Sequence, residues 1–237
     1  VLSLFSGVGG LDLGLERAGM TVVGQSEIDP YASRVLAKHW PDVPNLGDIT
    51  KITEADLERL GPIDLVCGGP PCQPISLAGP QRGTADERWL WDEFWRICGL
   101  VRPSFAIAEN PPALLGKPRW MAAVLGGATS IGGFRCVEWD CVPACAVGAP
   151  HRRDRAWIVA YAEDRHGEHV SGGPRHPRWP RPQRTGDLAD RAGWTTESGI
   201  CRTHDGVPGW THRLRGLGNA VVPQVAEHVG RIIMGQS

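Results

Sequence analysis

A chain of 237 residues that is 41% hydrophobic and 22% charged can bury one full core, which excludes a disordered polypeptide, and it holds no apolar run long enough to cross a bilayer. A formal net charge of -1 excludes bulk attraction to nucleic acid, so any such binding has to come from local basic patches. The seven cysteines, an odd number in a long chain without secretory features, are expected as reduced thiols in a cytosol.

Val1–Phe5 is a short apolar strand, followed by the turn Ser6-Gly7-Val8-Gly9-Gly10. Leu11, Leu13, Leu15 and Ala18, set among Asp12, Glu16 and Arg17, predict a partly amphipathic helix stopped by Gly19. Met20–Val23 reads as the next strand. Asp29-Pro30 then opens a helix that ends at Trp40 before Pro41. Thr53 caps another helix, closed by Gly61. Ile63–Cys67 is a strand, Asp86–Val101 a helix, and Phe105–Ala108 a strand leading into Glu109-Asn110-Pro111-Pro112. Phe134–Trp139 and Ala156–Tyr161 are two later strands, and Val225, Val229, Ile232 and Ile233 form the apolar face of a terminal helix.

This alternation predicts an α/β fold with a doubly wound, mostly parallel sheet. Ligands collect at the carboxyl ends of strands in such sheets. The loops at Ser6–Gly10, Glu27–Asp29, Gly68–Gln73 and Glu109–Pro111 should therefore share one edge. The alternation stops near Ala162. From Arg165 to Arg184 there are five arginines against one acidic residue, Glu168. By composition this stretch is a solvated insert or a nucleic-acid contact surface, with Arg for phosphate and Trp179 for stacking.

In Gly68-Gly69-Pro70-Pro71-Cys72-Gln73-Pro74 a thiol sits in a stiff loop at the end of a buried strand, as if presented to a ligand. It would act as a nucleophile only when ionised, which needs a cation or a helix end nearby. Arg153 and Arg155 are candidates, and on an extended segment both would point to one face. Glu109 ends an apolar strand, where burial would raise its pKa towards an acid/base range. The glycine spacing Gly7-x-Gly9-Gly10 departs from G-x-G-x-x-G, so a dinucleotide pyrophosphate is disfavoured. With Glu27 placed to hold ribose hydroxyls, the turn fits a nucleoside cofactor such as S-adenosylmethionine. Cys136, Cys141 and Cys145 have loose metal-like spacing without an obvious fourth ligand, so they read as buried thiols and no metal is expected.

Taken in order, LFSGVGG, SEID, GDIT, GGPPCQP, the Glu-Asn pair, the Arg-x-Arg element and LGNAVVP resemble the DNA (cytosine-5)-methyltransferases over residues 1–162 and 213–237. The resemblance implies a Rossmann-like S-adenosylmethionine-binding catalytic domain at 1–162. A reduced target-recognition region follows at 163–212, and 213–237 returns to the catalytic domain. It implies that Phe5, Gly7, Gly9 and Pro70 line the cofactor pocket. Glu27 would hold the ribose, Ile28 would pack on the adenine, and Asp48 would bond its amino group. Leu90 and Asn219 would close the pocket. Cys72 would attack C6 of a flipped-out cytosine in double-stranded DNA, Glu109 would engage N3 and the amine, and Arg153 would contact the base with Arg155 in support. The expected setting is bacterial or phage restriction–modification, in the cytoplasm, by a monomer without membrane attachment.

Two departures stand out: Glu109-Asn110 is followed by Pro111 where the family has Val, and His151 stands where Gln is common. Only about 50 residues separate the Arg-x-Arg element from LGNAVVP, which predicts relaxed sequence selection. An RNA (tRNA) cytosine-5 methyltransferase and a non-catalytic nucleic-acid-binding remnant are the alternatives.

Overall fold

In the computed structural model, which describes residues 1–71, 89–162 and 220–235, six strands build one sheet. They are β1 (Leu2–Leu4), β2 (Gly24–Ser26), β3 (Leu65–Gly68), β4 (Phe105–Asn110), β5 (Cys136–Pro143) and β6 (Asp154–Tyr161), in the order β2-β1-β3-β4-β6-β5. The first four run parallel, in registers that set Leu4 beside Ser26 and Gly68, and Gly68 beside Ala108. β6 is antiparallel to both β4 and β5. The parallel half needs crossover helices, whereas β5 returns directly as β6. The chain leaves β1 for β2 on one side and then reaches β3 on the other, so the crevice between β1 and β3 is the switch point of the sheet.

The helices are α1 (Gly10–Arg17), α2 (Pro30–His39), α3 (Glu54–Glu58), α4 (Trp91–Val101), α5 (Pro118–Ser130) and α6 (Pro223–Ile233). Local sequence explains two of their starts. The Asp29 carboxylate accepts from the amides of Tyr31 and Ala32, and Thr53 and Asp56 form a reciprocal capping box. Two cores flank the sheet. Leu2, Leu4, Val66, Ala106, Ala108, Ile158 and Ala160 face α4 and α5, where Trp91, Phe94, Trp95 and Phe134 meet edge to face or tilted. Leu65, Cys67, Ile107, Trp157, Val159 and Tyr161 face the opposite way, towards Leu11 and Leu15 of α1 and Val225 and Val229 of α6. Alternate residues of each strand thus feed alternate layers.

Several elements differ from the sequence reading. The second strand is Gly24–Ser26, not Met20–Val23; Gly-Gln-Ser has no strand-forming look, yet all three residues are buried. The two later strands begin at Cys136 and Asp154. α5 was not anticipated, because glycines at 126 and 127 weaken its helical signature. Gly127 is there for packing: a Cβ on it would come within 2.4 Å of the Trp95 ring. The described part of the fourth helix begins at Trp91, and residues 86–88 lie outside the described residues.

α6 docks on α1 through small residues. A Cβ on Gly14 would lie 2.4 Å from the Pro223 carbonyl and 2.5 Å from Cβ of Ala226, and one on Gly230 would lie 2.8 Å from Cβ of Ala18. On α1, Gly14 and Ala18 are one turn apart, matched by Ala226 and Gly230 on α6, so the two backbones approach closely. Gly14→Val should force them apart and lower the thermal unfolding midpoint by roughly 3–10 °C. Circular dichroism on the full chain checks this, and an unchanged midpoint would show that the contact is slack.

Candidate functional site at the carboxyl edge of the sheet

The parallel registers bring the ends of β1, β2, β3 and β4 level, so their loops open together. After β1 the chain turns sharply: Phe5, Gly7 and Gly9 all have positive φ, at 53°, 56° and 84°. For a phenylalanine that conformation is strained, and it is held by the amide of Ser6 donating to the Ser26 carbonyl on β2. Around Gly7 there is room for a ligand; a Cβ built there would find only the Phe5 carbonyl, at 4.0 Å. At the end of β2, Glu27 accepts from the amides of Gly7 (2.8 Å) and Asp29 (2.7 Å). Ile28, next to it, is 71% exposed.

Asp48 caps a short 3-10 turn, Ile49–Lys51, on the same edge. The Thr50 hydroxyl and amide, with Lys51 at 3.4 Å, hold its carboxyl below the ordinary value. That turn is anchored from α4, because the Arg96 guanidinium donates to the carbonyls of Ile49 (2.8 Å) and Ile52 (3.2 Å) while pairing with Glu93. Phe5 and Leu90 are half-buried and pack against the same core cluster. The exposed Ile28, the two carboxylates and the open glycine turn form a donor and acceptor set that suits a nucleoside.

On the other side of the crevice lies Glu109, 7% exposed at the end of β4. Its carboxylate oxygen Oε1 is 2.8 Å from Arg155 Nε. Burial pushes the Glu109 carboxyl up to about 7, although Arg155 and then Arg153 pull it down. Gly69 lies against it, since a Cβ there would be 3.6 Å from Glu109 Oε2. The neighbouring Asn110 donates from Nδ2 to the carbonyl of Pro70 at 2.8 Å, which fixes the start of the Pro-Pro loop to β4.

The Arg-x-Arg element is not an extended pair. Arg153 precedes β6 with φ of 37°, while Arg155 lies within the strand, so simple alternation does not place them. Arg155 takes the carboxylate, and Arg153 Nη2 donates to the carbonyl of Ala220, just before α6. Burial and the nearby Arg155 hold the Arg153 guanidinium below its ordinary value. Arg153 thus links the carboxyl edge of the sheet to the C-terminal segment, a connection invisible in the sequence.

Cys72, Asn219 and the insert at 163–212 lie outside the described residues. A cavity of about 1020 Å³ opens beside the glycine turn, lined by Val8, Leu13, Trp40, His151, Arg153 and Val221 among others. Its lining omits Glu27, Asp48 and Glu109, so it adjoins the crevice and does not encompass it. Among the described residues, no three His, Cys, Asp or Glu side chains gather as metal ligands, and no helix is long and apolar enough to cross a membrane. Sequence reasoning missed the Arg96 clamp and the bond from Asn110 to Pro70; both go to backbone carbonyls, which leave no side-chain pattern.

The family model for C-5 cytosine-specific DNA methylase matches residues 1–205. The chain is similar to the type II methyltransferase M.AquIA of Picosynechococcus, at 34% identity over 67% of this chain and 70% of that one. It is similar to M.Eco47II of Escherichia coli, at 34% identity over 69% of this chain and 40% of that one. A solved structure of a candidate DNA modification methyltransferase from an Escherichia coli prophage superposes with a TM-score of 0.57 at 30% identity, covering 68% of this chain and 45% of that one. The chain spans well under half the length of most such relatives.

The raised Glu109 carboxyl has a consequence for stability. Between about 4.5 and about 7 the unfolded chain has released a proton that the folded chain keeps, so stability should fall as pH rises across that window. Glu109→Gln removes this contribution. Urea unfolding at about pH 5 and about pH 7.5 should show a larger loss for the unmodified chain than for the variant. Equal losses would mean that Glu109 titrates as an ordinary carboxyl.

Proposed function

Because the chain belongs to the C-5 cytosine-specific DNA methylase family, we propose that it transfers a methyl group from S-adenosylmethionine to C5 of a cytosine flipped out of double-stranded DNA. The observation that carries this reading is the buried Glu109 carboxyl, held near neutrality beside Arg155 and against the backbone of Gly69-Pro70, the stretch that leads directly into Cys72.

The division of labour follows from the chemistry of the base. C5 of cytosine is a poor nucleophile. The Cys72 thiolate adds to C6, forming a C–S bond, while Glu109, whose raised pKa keeps a protonated fraction near neutrality, gives its proton towards N3 so that the electron pair collects at C5 as an enamine. When bound, S-adenosylmethionine supplies an electrophilic sulfonium methyl. The C5 proton is then lost to solvent, the C–S bond breaks with Cys72 leaving as thiolate, and N3 returns its proton to the Glu109 carboxylate, which restores the aromatic ring. Arg155 orients the Glu109 carboxyl, and Arg153 contacts the extruded base. Extrusion costs a few kcal/mol of unstacking, so the groups that receive the base must already be in place. The tether from Asn110 to Pro70 supports that demand.

On the cofactor side, Phe5, Gly7, Gly9 and Pro70 line the pocket and Glu27 binds the ribose diol. Ile28 would pack on the adenine, Asp48 would accept from its amino group, and Leu90 and Asn219 would close the pocket. The exposed Ile28 and the open turn at Gly7 support this assignment. The type II relatives support a restriction–modification setting, bacterial or phage, in the cytoplasm. Residues 1–162 would form the catalytic domain, 163–212 a reduced recognition region with relaxed sequence choice, and 213–237 the returning segment. The enzyme would act as a monomer.

A duplex carrying 5-fluorocytosine blocks loss of the C5 proton, so incubation with the chain and S-adenosylmethionine should leave a covalent adduct on a denaturing gel. Cys72→Ala should form none. Adduct or label confined to tRNA would transfer the reading to an RNA substrate, and none with either nucleic acid would overturn it.

A further inference from the structure

Asp12, which the chemistry above does not use, is completely buried in the first turn of α1. A residue needed there only to fill space would be apolar, because burying a carboxyl is costly unless its oxygens are hydrogen-bonded. Both are. Ser3 Oγ donates to Oδ2 at 2.9 Å, and Gln25 Nε2 donates to Oδ1 at 2.7 Å. Ser3 lies on β1, two residues before Phe5 and four before Gly7; Gln25 lies on β2, two residues before Glu27.

The backbone of Gln25 extends the connection to a third segment. Its amide donates to the Pro44 carbonyl at 2.9 Å, and its carbonyl accepts from Leu46 at 2.7 Å. Between these, Asn45 Oδ1 accepts from the amides of Glu27 (2.9 Å) and Gly47 (3.0 Å), next to Asp48. One side chain therefore ties together the segments that carry the glycine turn, Glu27 and Asp48.

We propose that Asp12 is a positioning residue for the cofactor cradle, setting the spacing between the glycine turn and the Glu27–Asp48 edge through its shared bonds to Ser3 and Gln25. The inference rests on the cofactor reading given above. Asp12 touches no ligand; it acts through the two strands whose ends do. Without its carboxyl, Ser3 and Gln25 lose their common acceptor, and the spacing of the ends of β1 and β2 is left to the backbone ladder and to the bonds from Ser6 to Ser26 and from Gly7 to Glu27.

Calorimetric titration of S-adenosylmethionine into the full chain tests this, at a temperature where circular dichroism shows each variant folded. Asp12→Ala should weaken binding by roughly tenfold or more, the scale expected when buried donors lose their acceptor. Asp12→Asn can still accept from Gln25 and donate to Ser3, and should stay within about threefold of the unmodified chain. Turnover at saturating cofactor should be unchanged for both. If Asp12→Ala does not fold, Ser3→Ala and Gln25→Leu each remove one bond and should weaken binding in the same sense. A merely structural role would lower the unfolding midpoint and leave affinity unchanged, and that result overturns the inference. A loss in Asp12→Asn as large as in Asp12→Ala would overturn it too. Failure of the unmodified chain to bind S-adenosylmethionine would instead remove the cofactor reading, and this inference with it.

Discussion

The site depends on the register of three parallel ladders. Leu4 pairs with Ser26 on one side and Gly68 on the other, and Gly68 pairs with Ala108. A slip of one residue in any ladder would reverse the faces of a strand and bury the wrong side chains. It would also move one loop by about 3.3 Å relative to its neighbours, more than a hydrogen bond can span. Side chains from four distant parts of the chain meet because apolar residues such as Leu2, Val66 and Ala106 on one face, and Leu65, Cys67 and Ile107 on the other, can satisfy both cores in only one alignment.

Within that frame the electrostatics are a contest between dehydration and charge. Glu109 is buried enough that the neutral form is favoured, yet two arginines stand close enough to pull the other way. The outcome near 7 is a balance between the two. Arg153 feels the same contest from the cationic side, crowded by Arg155 and relieved by Glu109. Asp48, a partly exposed carboxylate, shows the opposite result: hydrogen bonds from Thr50 favour its ionised form with little dehydration to oppose them.

Much of the fold was legible because it is written in apolar periodicity and in caps. Asp29, Thr53 and Pro223 start helices, and β1, β3 and β4 are apolar runs. What escaped had its cause in tertiary contact. Gly-Gln-Ser forms β2 because its polar atoms find partners inside the protein, which no local pattern announces. α1 showed the same effect: Leu13, read as part of the apolar face, is 36% exposed, whereas Asp12 is buried. The glycine turn, Glu27, Glu109 and the arginines were recognisable from motif order. That Arg155 takes the carboxylate and Arg153 the Ala220 carbonyl depends on a left-handed backbone at residue 153, which spacing does not encode.

The close seating of α6 on α1 has an evolutionary side. Strand β6 ends at Tyr161 inside the sheet, and Ala220 is held by Arg153 at the mouth of the crevice. The chain on either side of the interval between them is anchored, by β6 in the sheet and by the bond from Arg153 to Ala220. Recombination could exchange that interval, lengthening or replacing it, while the glycine-lined helix pair keeps the two moorings in place. A lineage could in this way vary that interval without rebuilding the sheet that carries it.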